Sequence, residues 1–70
     1  MQRQPVESSN LRSVGYDPAT RTLEVEFRNG VVYQYSRVDE ETFHRFMASP
    51  SKGKFFNRSI LHSAYTGRRA

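Results

Sequence analysis

The chain has 70 residues, no cysteine and a formal net charge of +4. A chain this short can form only one domain with a modest core, and the lack of cysteine excludes disulfide crosslinks and thiolate zinc sites. The N-terminal sequence MQRQPVESSN lacks the apolar run of a signal peptide, and no stretch is long and apolar enough to span a membrane. We therefore expect a soluble, cytoplasmic protein.

The charges are unevenly distributed along the chain. Residues 1–41 contain five arginines and seven acidic residues, whereas residues 42–70 contain six basic residues and no acidic ones. The basic residues of this second part are Arg45, Lys52, Lys54, Arg58, Arg68 and Arg69. Such a block can attract phosphate backbones or anionic surfaces through its summed field, or it can be a solvated face. Composition alone is compatible with both.

Residues 10–36 follow the alternating pattern of a β-meander. Segments rich in β-branched and aromatic residues are separated by the turn sequences DPATR and RNG. In the middle segment Leu23, Val25 and Phe27 alternate with polar residues, which predicts one dry face and one solvated face. We predict three antiparallel strands.

The first turn, DPATR, has a proline that presets type I geometry and an aspartate that can accept hydrogen bonds from the turn amides. A four-residue loop over 18–21 pairs Asp17 with Thr22. This register places Val14 and Tyr16 on the dry face, so the turn chemistry and the hydrophobic pattern agree.

The second turn, RNG, permits two registers that turn opposite faces of the next strand toward the core. A two-residue loop places Tyr33 and Tyr35 on the solvated face, whereas a three-residue loop ending at Gly30 places them on the dry face. The second register buries six large side chains on one face, each contributing roughly 1.5–3 kcal/mol. We therefore predict the three-residue loop, positive φ at Gly30 and core positions for both tyrosines.

Two short helices are predicted after the strands. The first spans about 39–48, because acidic residues begin it, phenylalanines share one face and Pro50 prevents its continuation. The second follows a cap at Ser49 or Ser51, and its extent depends on Gly53. The fold class is therefore α+β, a three-stranded antiparallel meander with one or two short C-terminal helices packed on one face. The predicted core comprises Val14, Tyr16, Leu23, Val25, Phe27, Val31, Tyr33, Tyr35, Phe43, Phe46, Met47, Phe55 and Ile60.

Three stretches and a tyrosine triplet resemble the KTSC domain family, a short module named for its occurrence at the C-terminus of some lysyl-tRNA synthetases. The matching sequences are SSNLRSVGYDP at 8–18, TLEVEFRNG at 22–30, Tyr33-Gln34-Tyr35 and SKGKFFN at 51–57. The resemblance implies a small α+β fold and, from the synthetase context, an RNA-binding role. It adds no catalytic residue. One departure is Asp39, where the family pattern would begin the helix with proline.

The domain limits follow from the extent of these elements. We expect an N-terminal segment at 1–9, a single KTSC-like α+β domain at 10–63 and a basic C-terminal tail at 64–70. The tail is expected to be frayed, with Tyr65 as its one residue able to dock.

The residue types that carry catalysis are not combined here in any recognised pattern. His44 and His62 are 18 positions apart without cysteine or clustered carboxylates, so no metal site is expected. The polar run at 8–10 can position phosphate or, more simply, cap the entry to the first strand. A domain this small also has little volume for a closed pocket. We expect no enzymatic activity, no cofactor and no small-molecule substrate.

Two binding functions remain compatible with the sequence. One is RNA binding, to tRNA-like or single-stranded RNA, through Lys52, Lys54 and Arg58 with support from the other cations of the basic block. Glu24 and Glu26 on the solvated face argue against an aromatic sheet platform for RNA. The other is a protein-interaction or self-association module that uses an exposed sheet edge.

Overall fold

The alternating segments form one antiparallel sheet, and two helical segments contribute to the core on one of its faces. The structure is a computed structural model that describes residues 2–61 and 67–70. The strands are β1 (Arg3–Pro5), β2 (Leu11–Asp17), β3 (Thr22–Phe27), β4 (Val32–Tyr35) and β5 (Gly67–Arg69). Helix α1 spans Glu40–Ala48, and α2 spans Lys52–Phe55 and continues as a π-helical segment, Phe56–Leu61, called the π segment below. The α+β class is confirmed.

The predicted number of strands is wrong, because the sheet has five strands in the order β1-β2-β3-β4-β5. The three predicted strands form its centre, β1 pairs with β2, and β5 pairs with β4. The outer strands have the sequences RQP and GRR, which contain no apolar alternation to reveal them. The prediction of a frayed tail is wrong for the residues of β5, and Tyr65 lies outside the described residues.

The first hairpin has the predicted register. Asp17 pairs with Thr22, and Val14 pairs with Val25. The Asp17 carboxylate accepts a hydrogen bond from the Ala19 amide at 3.0 Å, as the turn sequence predicts. This register follows from local turn chemistry. It places the apolar residues of β2 and β3 on one face of the sheet.

The second hairpin confirms the three-residue loop. Tyr33 pairs with Val25, and Tyr35 pairs with Leu23. Gly30 has a φ of 90°, a left-handed conformation that glycine adopts without steric cost. Tyr35 is only 4% exposed, as predicted for the core, whereas Tyr33 is half-buried at the margin of the same face.

A β-bulge explains why Leu11 was missed as a core residue. Strict alternation from Val14 would turn Leu11 toward solvent, but the register shifts between Leu11 and Ser13. The bulge reverses the side-chain parity and brings Leu11, fully buried, into the core. The buried residues that the sequence pattern did not identify are Leu11, Val38 and Phe56. Val31 was predicted in the core but is half-buried and lies outside the core cluster.

Helix α1 has the predicted acidic start and packing face, and its start is also capped. The Asp39 carboxylate accepts a hydrogen bond from the Thr42 amide at 2.9 Å, so Asp39 supplies the N-cap. Phe46 is fully buried, and Phe43 stacks on the ring of Tyr16 with centroids 4.6 Å apart. These contacts fix α1 over one end of the sheet.

Helix α2 and the π segment are held mainly by their aromatic residues. Of the two predicted capping serines, Ser51 makes no side-chain capping bond, whereas the Ser49 hydroxyl accepts a hydrogen bond from the Ser51 amide at 3.2 Å, just before α2. Phe55 stacks against Phe46 of α1, and Phe56 packs edge-on against the rings of Phe27 and Tyr35. Consecutive phenylalanines therefore join this segment to α1 and to the sheet.

Candidate functional site

Three of the predicted basic residues lie on one helical stretch. Lys52 and Lys54 belong to α2, and Arg58 lies in the π segment. Lys54 and Arg58 line one surface depression, while Lys52 and Lys54 line another. The three residues Lys52, Lys54 and Arg58 are called the basic ridge below.

The cations of the basic ridge differ in how far they are engaged. The Lys52 ammonium donates to the Ser49 carbonyl oxygen at 3.2 Å, and the side chain is half-buried. Lys54 and Arg58 are exposed. Among the residues the structure describes, no carboxylate forms an ion pair with the ridge, although Glu7 borders the depression beside Lys52. The ridge is therefore a local concentration of positive charge.

Arg45 lies apart from the basic ridge. It is on α1, where its guanidinium lies 2.8 Å from the Glu41 carboxylate one helical turn away. Both side chains are largely exposed, so the pair is a weak, solvated helix contact. The positive charge of Arg45 is therefore paired locally with Glu41.

Arg68 and Arg69 lie on opposite faces of the sheet. Arg69 pairs across β4 with Tyr33, on the face that carries the core, and Arg68 pairs with Gln34 on the solvated face. The two residues therefore cannot act as one mobile pair of charges, because side chains alternate along a strand. Only Arg69 shares a face with the helices.

An open cleft of about 400 Å³ lies between the sheet and the α2–π stretch. Four of the described residues that line it are aromatic, namely Phe27, Tyr33, Tyr35 and Phe56. Two exposed amide side chains, those of Asn10 and Asn57, also line it. We call this feature the aromatic cleft. It adjoins a second depression that shares three of its residues and adds Arg28 and Arg69.

Gly67 makes room for one wall of the aromatic cleft. A Cβ atom at this position would lie 2.5 Å from Cε1 of Tyr35, closer than real contacts allow. The Tyr35 ring therefore lies directly against the backbone of β5. Any larger residue at position 67 would displace the ring or the strand.

The walls of this cleft come from segments that are distant in sequence, so no sequence pattern predicts it. Asn10 precedes β2, Tyr33 is on β4, and Asn57 is in the π segment. Asn10 and Asn57 stand in the stretches SSNLRSVGYDP and SKGKFFN, which carry the family resemblance. Their presence in those motifs was the available signal, but only the fold brings them together.

The acidic residues of the solvated face are engaged in contacts across the strands. Glu24 accepts hydrogen bonds from Arg3 at 3.2 Å and from Gln34 at 2.8 Å. Glu26 accepts one from the Ser13 hydroxyl at 2.8 Å. This face bears carboxylates near its centre and no aromatic side chain among the residues of the described strands, so it does not form a stacking platform for bases.

The polar run before β2 has the structural role favoured by the sequence. The Ser8 hydroxyl accepts hydrogen bonds from the Asn10 and Leu11 amides at 3.2 and 3.3 Å. The Ser8 carbonyl also accepts one from the Arg28 guanidinium at 2.9 Å. These bonds fix the entry to β2 and thereby the position of Asn10 in the aromatic cleft.

Two titratable side chains, Tyr35 and His44, lie in contrasting environments. Burial, followed by the nearby Tyr33, raises the pKa of the Tyr35 phenol, so this group stays neutral and can donate a hydrogen bond. His44 is exposed on α1, 3.8 Å from the Glu40 carboxylate, and His62 lies outside the described residues.

Within residues 2–61 and 67–70, no helix has the length and apolar character needed to cross a membrane.

The fold defines this chain as a small α+β domain built on a five-stranded antiparallel sheet. The model of the KTSC domain family matches residues 7–65, and the chain belongs to that family. The crystal structure of a KTSC domain protein from Yersinia pestis has a TM-score of 0.90 at 43% identity, covering 99% of this chain and 96% of that one. The resemblance inferred from the motifs is confirmed.

Two further relatives differ in how they contain this domain. An uncharacterized protein of Stutzerimonas stutzeri is 43% identical over 65 residues, which cover 93% of this chain and 92% of that protein. The lysine–tRNA ligase of a Nostoc species is 35% identical over 54 residues, which cover 77% of this chain and 10% of the ligase. The matching sequence thus makes up nearly all of one relative and a small part of another.

Proposed function

We propose that this KTSC domain is a non-catalytic RNA-binding module that contacts the phosphates of single-stranded or tRNA-like RNA through the basic ridge. The observation that carries the proposal is the placement of three cations on one short helical stretch, where no described carboxylate forms an ion pair with any of them. Lys54 and Arg58 border a common depression, a spacing suited to neighbouring phosphates. Arg45 and Arg69 add to the field at a greater distance.

The choice of RNA as the polyanion draws support from the relatives. Sequences similar to this domain form part of lysine–tRNA ligases from Nostoc sp. and Nostoc punctiforme. The basic ridge by itself would suit any phosphate backbone, because lysine and arginine side chains that contact phosphates neutralise their charge without reading the bases. The ligase context therefore selects RNA, and the ridge supplies the means of binding.

The alternative, association through a sheet edge, is disfavoured by the edge strands. Both edges are three residues long, which leaves few backbone groups for a partner strand. Proline in β1 and two arginines in β5 are residues that discourage edge pairing in other sheets. We therefore do not propose self-association as the function.

The salt dependence of RNA binding tests the proposal. Fluorescence anisotropy with short single-stranded RNA is expected to show weak binding whose logarithmic slope is about −0.7 per neutralised phosphate. The variant Lys52→Gln, Lys54→Gln, Arg58→Gln is expected to flatten that slope by roughly two units. A variant with the same loss of charge, Arg12→Gln, Arg21→Gln, Arg37→Gln, changes exposed arginines away from the ridge and serves as the control.

Two results would contradict the proposal. One is no binding by the wild-type protein at about 50 mM salt, where phosphate contacts are weakly screened. The other is an equal slope for the ridge variant and the control variant, which would assign the effect to net charge alone. Circular dichroism of each variant establishes that the fold is retained.

A further inference from the structure

We propose that the aromatic cleft binds one unpaired base of the RNA, next to the phosphates held by the basic ridge. This inference rests on the proposed function and adds a place where a base is contacted. The volume of about 400 Å³ lies within the roughly 300–1,000 Å³ of small-ligand sites. The cleft shares Asn10, Gly53 and Asn57 with the depression that Lys52 and Lys54 border, so a nucleotide can reach both surfaces.

The aromatic lining suits a flat, unstacked base. Tyr33 is half-buried and lines both the cleft and the adjoining depression. Its ring meets that of Phe27 edge-on, with centroids 5.9 Å apart, so the pair forms two non-parallel walls. Bases of single-stranded RNA are commonly held against such rings, because every base has a π-face. An aliphatic lining would give no such preference for planar ligands.

Unused hydrogen-bonding groups accompany the rings. Tyr35 is 4% exposed, yet its hydroxyl makes no hydrogen bond with the residues the structure describes. Within the described residues no buried side-chain nitrogen or oxygen lacks a partner, so the hydroxyl of this otherwise buried tyrosine lies open to the cleft, where a ligand can bond to it. The side-chain amides of Asn10 and Asn57 likewise make no bond within the described part of the chain. An amide can pair with two atoms on the edge of a base.

The charges around the cleft favour a nucleotide over an uncharged aromatic ligand. The basic ridge lies at one side, and Arg69 and Arg28 border the adjoining depression at the other. Among the described residues, no carboxylate lines the aromatic cleft or that second depression. The positive charges at both sides of the cleft therefore attract the phosphate of a nucleotide whose base enters the cleft.

Nuclear magnetic resonance titrations test the cleft without relying on RNA. Adenosine monophosphate and inorganic phosphate are added separately to the isotope-labelled protein. We expect the nucleotide to shift the side-chain amides of Asn10 and Asn57 and the backbone amide of Tyr33, whereas phosphate shifts only the basic residues. Equal shifts with both probes overturn the proposal. Cleft shifts with a short acidic peptide containing phenylalanine, and none with the nucleotide, also overturn it and assign the cleft to a peptide.

Substitutions then connect the cleft to RNA binding. Asn57→Ala, at an exposed position, is expected to weaken binding of oligoadenylate about tenfold and to leave the salt slope unchanged. An oligonucleotide of the same length with abasic riboses is expected to bind wild type and this variant equally. Arg69→Gln is expected to weaken oligoadenylate binding several-fold more than Arg68→Gln, its neighbour on the opposite face.

The results separate this inference from the proposed function. If the ridge variant flattens the salt slope but wild type binds the abasic and base-bearing oligonucleotides equally, RNA binding stands and the base site is overturned. If the nucleotide shifts the cleft residues but RNA does not bind, the base site stands and the proposed function fails. Equal effects of the two arginine substitutions overturn the role of Arg69 at the rim.

Discussion

The two helical segments of this domain pack on the same core but are stabilised in different ways. Helix α1 has its own N-cap at Asp39 and an ion pair between Glu41 and Arg45, which lie one helical turn apart. The α2–π stretch has no side-chain cap at Ser51 and no ion pair among its described residues. Its position depends on tertiary contacts of its phenylalanines.

This difference explains which charges are available for binding. In α1, Glu41 and Arg45 pair one helical turn apart, so local pairing supports the helix. In the α2–π stretch, aromatic burial holds the segment in place, so its lysines and arginine are not needed for local pairing. A segment held from its apolar side can present unpaired cations on the other. The predictions below test this contrast between local and tertiary stabilisation.

The largest expected effect is the loss of the aromatic contact between the segments. Phe46→Ala in α1 is expected to lower the free energy of unfolding by about 4 kcal/mol, because a fully buried ring is replaced by a cavity. Phe55→Ala removes its half-buried stacking partner in α2 and is expected to cost about half as much. Urea unfolding monitored by circular dichroism measures both. A larger loss for Phe55→Ala would mean that α2 organises this contact.

The two helix starts are expected to differ in their sensitivity to capping substitutions. Asp39→Ala is expected to lower Tm by roughly 4–8 °C, since the capping bond to Thr42 is lost. Ser51→Ala is expected to change Tm little, because the Ser51 side chain makes no capping bond. Thermal unfolding of both variants measures the difference. Equal losses would show that both starts depend on their caps.

The pH dependence of the α1 cap has a definite sign. The side-chain and then the backbone hydrogen bond with Thr42 lower the pKa of the Asp39 carboxyl below its ordinary value. A carboxyl with a lowered folded-state pKa contributes stability above its unfolded pKa and loses it as pH falls through the folded value. The Tm advantage of wild type over Asp39→Ala is therefore expected to narrow below pH about 4.

Asp39→Asn provides the control for this titration. Asparagine caps helices well without a titrating carboxyl, so its advantage over alanine is expected to be independent of pH in the acid range. Thermal unfolding in a series of acidic buffers makes the comparison. If the Tm advantage over Asp39→Ala changes with pH in the same way for wild type and for Asp39→Asn, the Asp39 carboxyl does not titrate as a cap.

The smallest expected effect concerns single cations in the two segments. Arg45→Gln is expected to change stability by no more than about 0.5 kcal/mol, because its pair with Glu41 is solvated. It is expected to weaken RNA binding less than Lys54→Gln, which removes a ridge contact and costs about fivefold in affinity near 0.1 M salt. Anisotropy titrations measure the RNA affinity of the two variants. Equal effects would indicate a diffuse field with no localised ridge.

Sequence reasoning succeeded where the determining signal is local. The register of β3 and β4 was predictable because the alternation through Phe27 and the turn at Gly30 together select one hairpin. The start of α1 was predictable from the acidic run at Asp39, and its end from Pro50. In each case the residues that decide the structure are close together along the chain.

The composition of the candidate site was only partly predictable. The basic ridge was identified because its three cations stand within seven residues of sequence. The separation of Arg68 from Arg69 was not, since it depends on the pairing of β5 with β4. The aromatic cleft was missed because Asn10 and Asn57 approach each other only in the folded chain.

By itself the sequence determined the two central hairpins, the capped helix and the basic ridge, since periodicity, turn chemistry and charge act between near neighbours. Tertiary structure alone decided the outer strands, the bulge that buries Leu11, and the face on which Arg69 lies. Strands as short as β1 and β5 gain their stability from a sheet edge that already exists, and their own residues encode little of it. The aromatic cleft also depends on tertiary structure, because long-range packing brings its walls together.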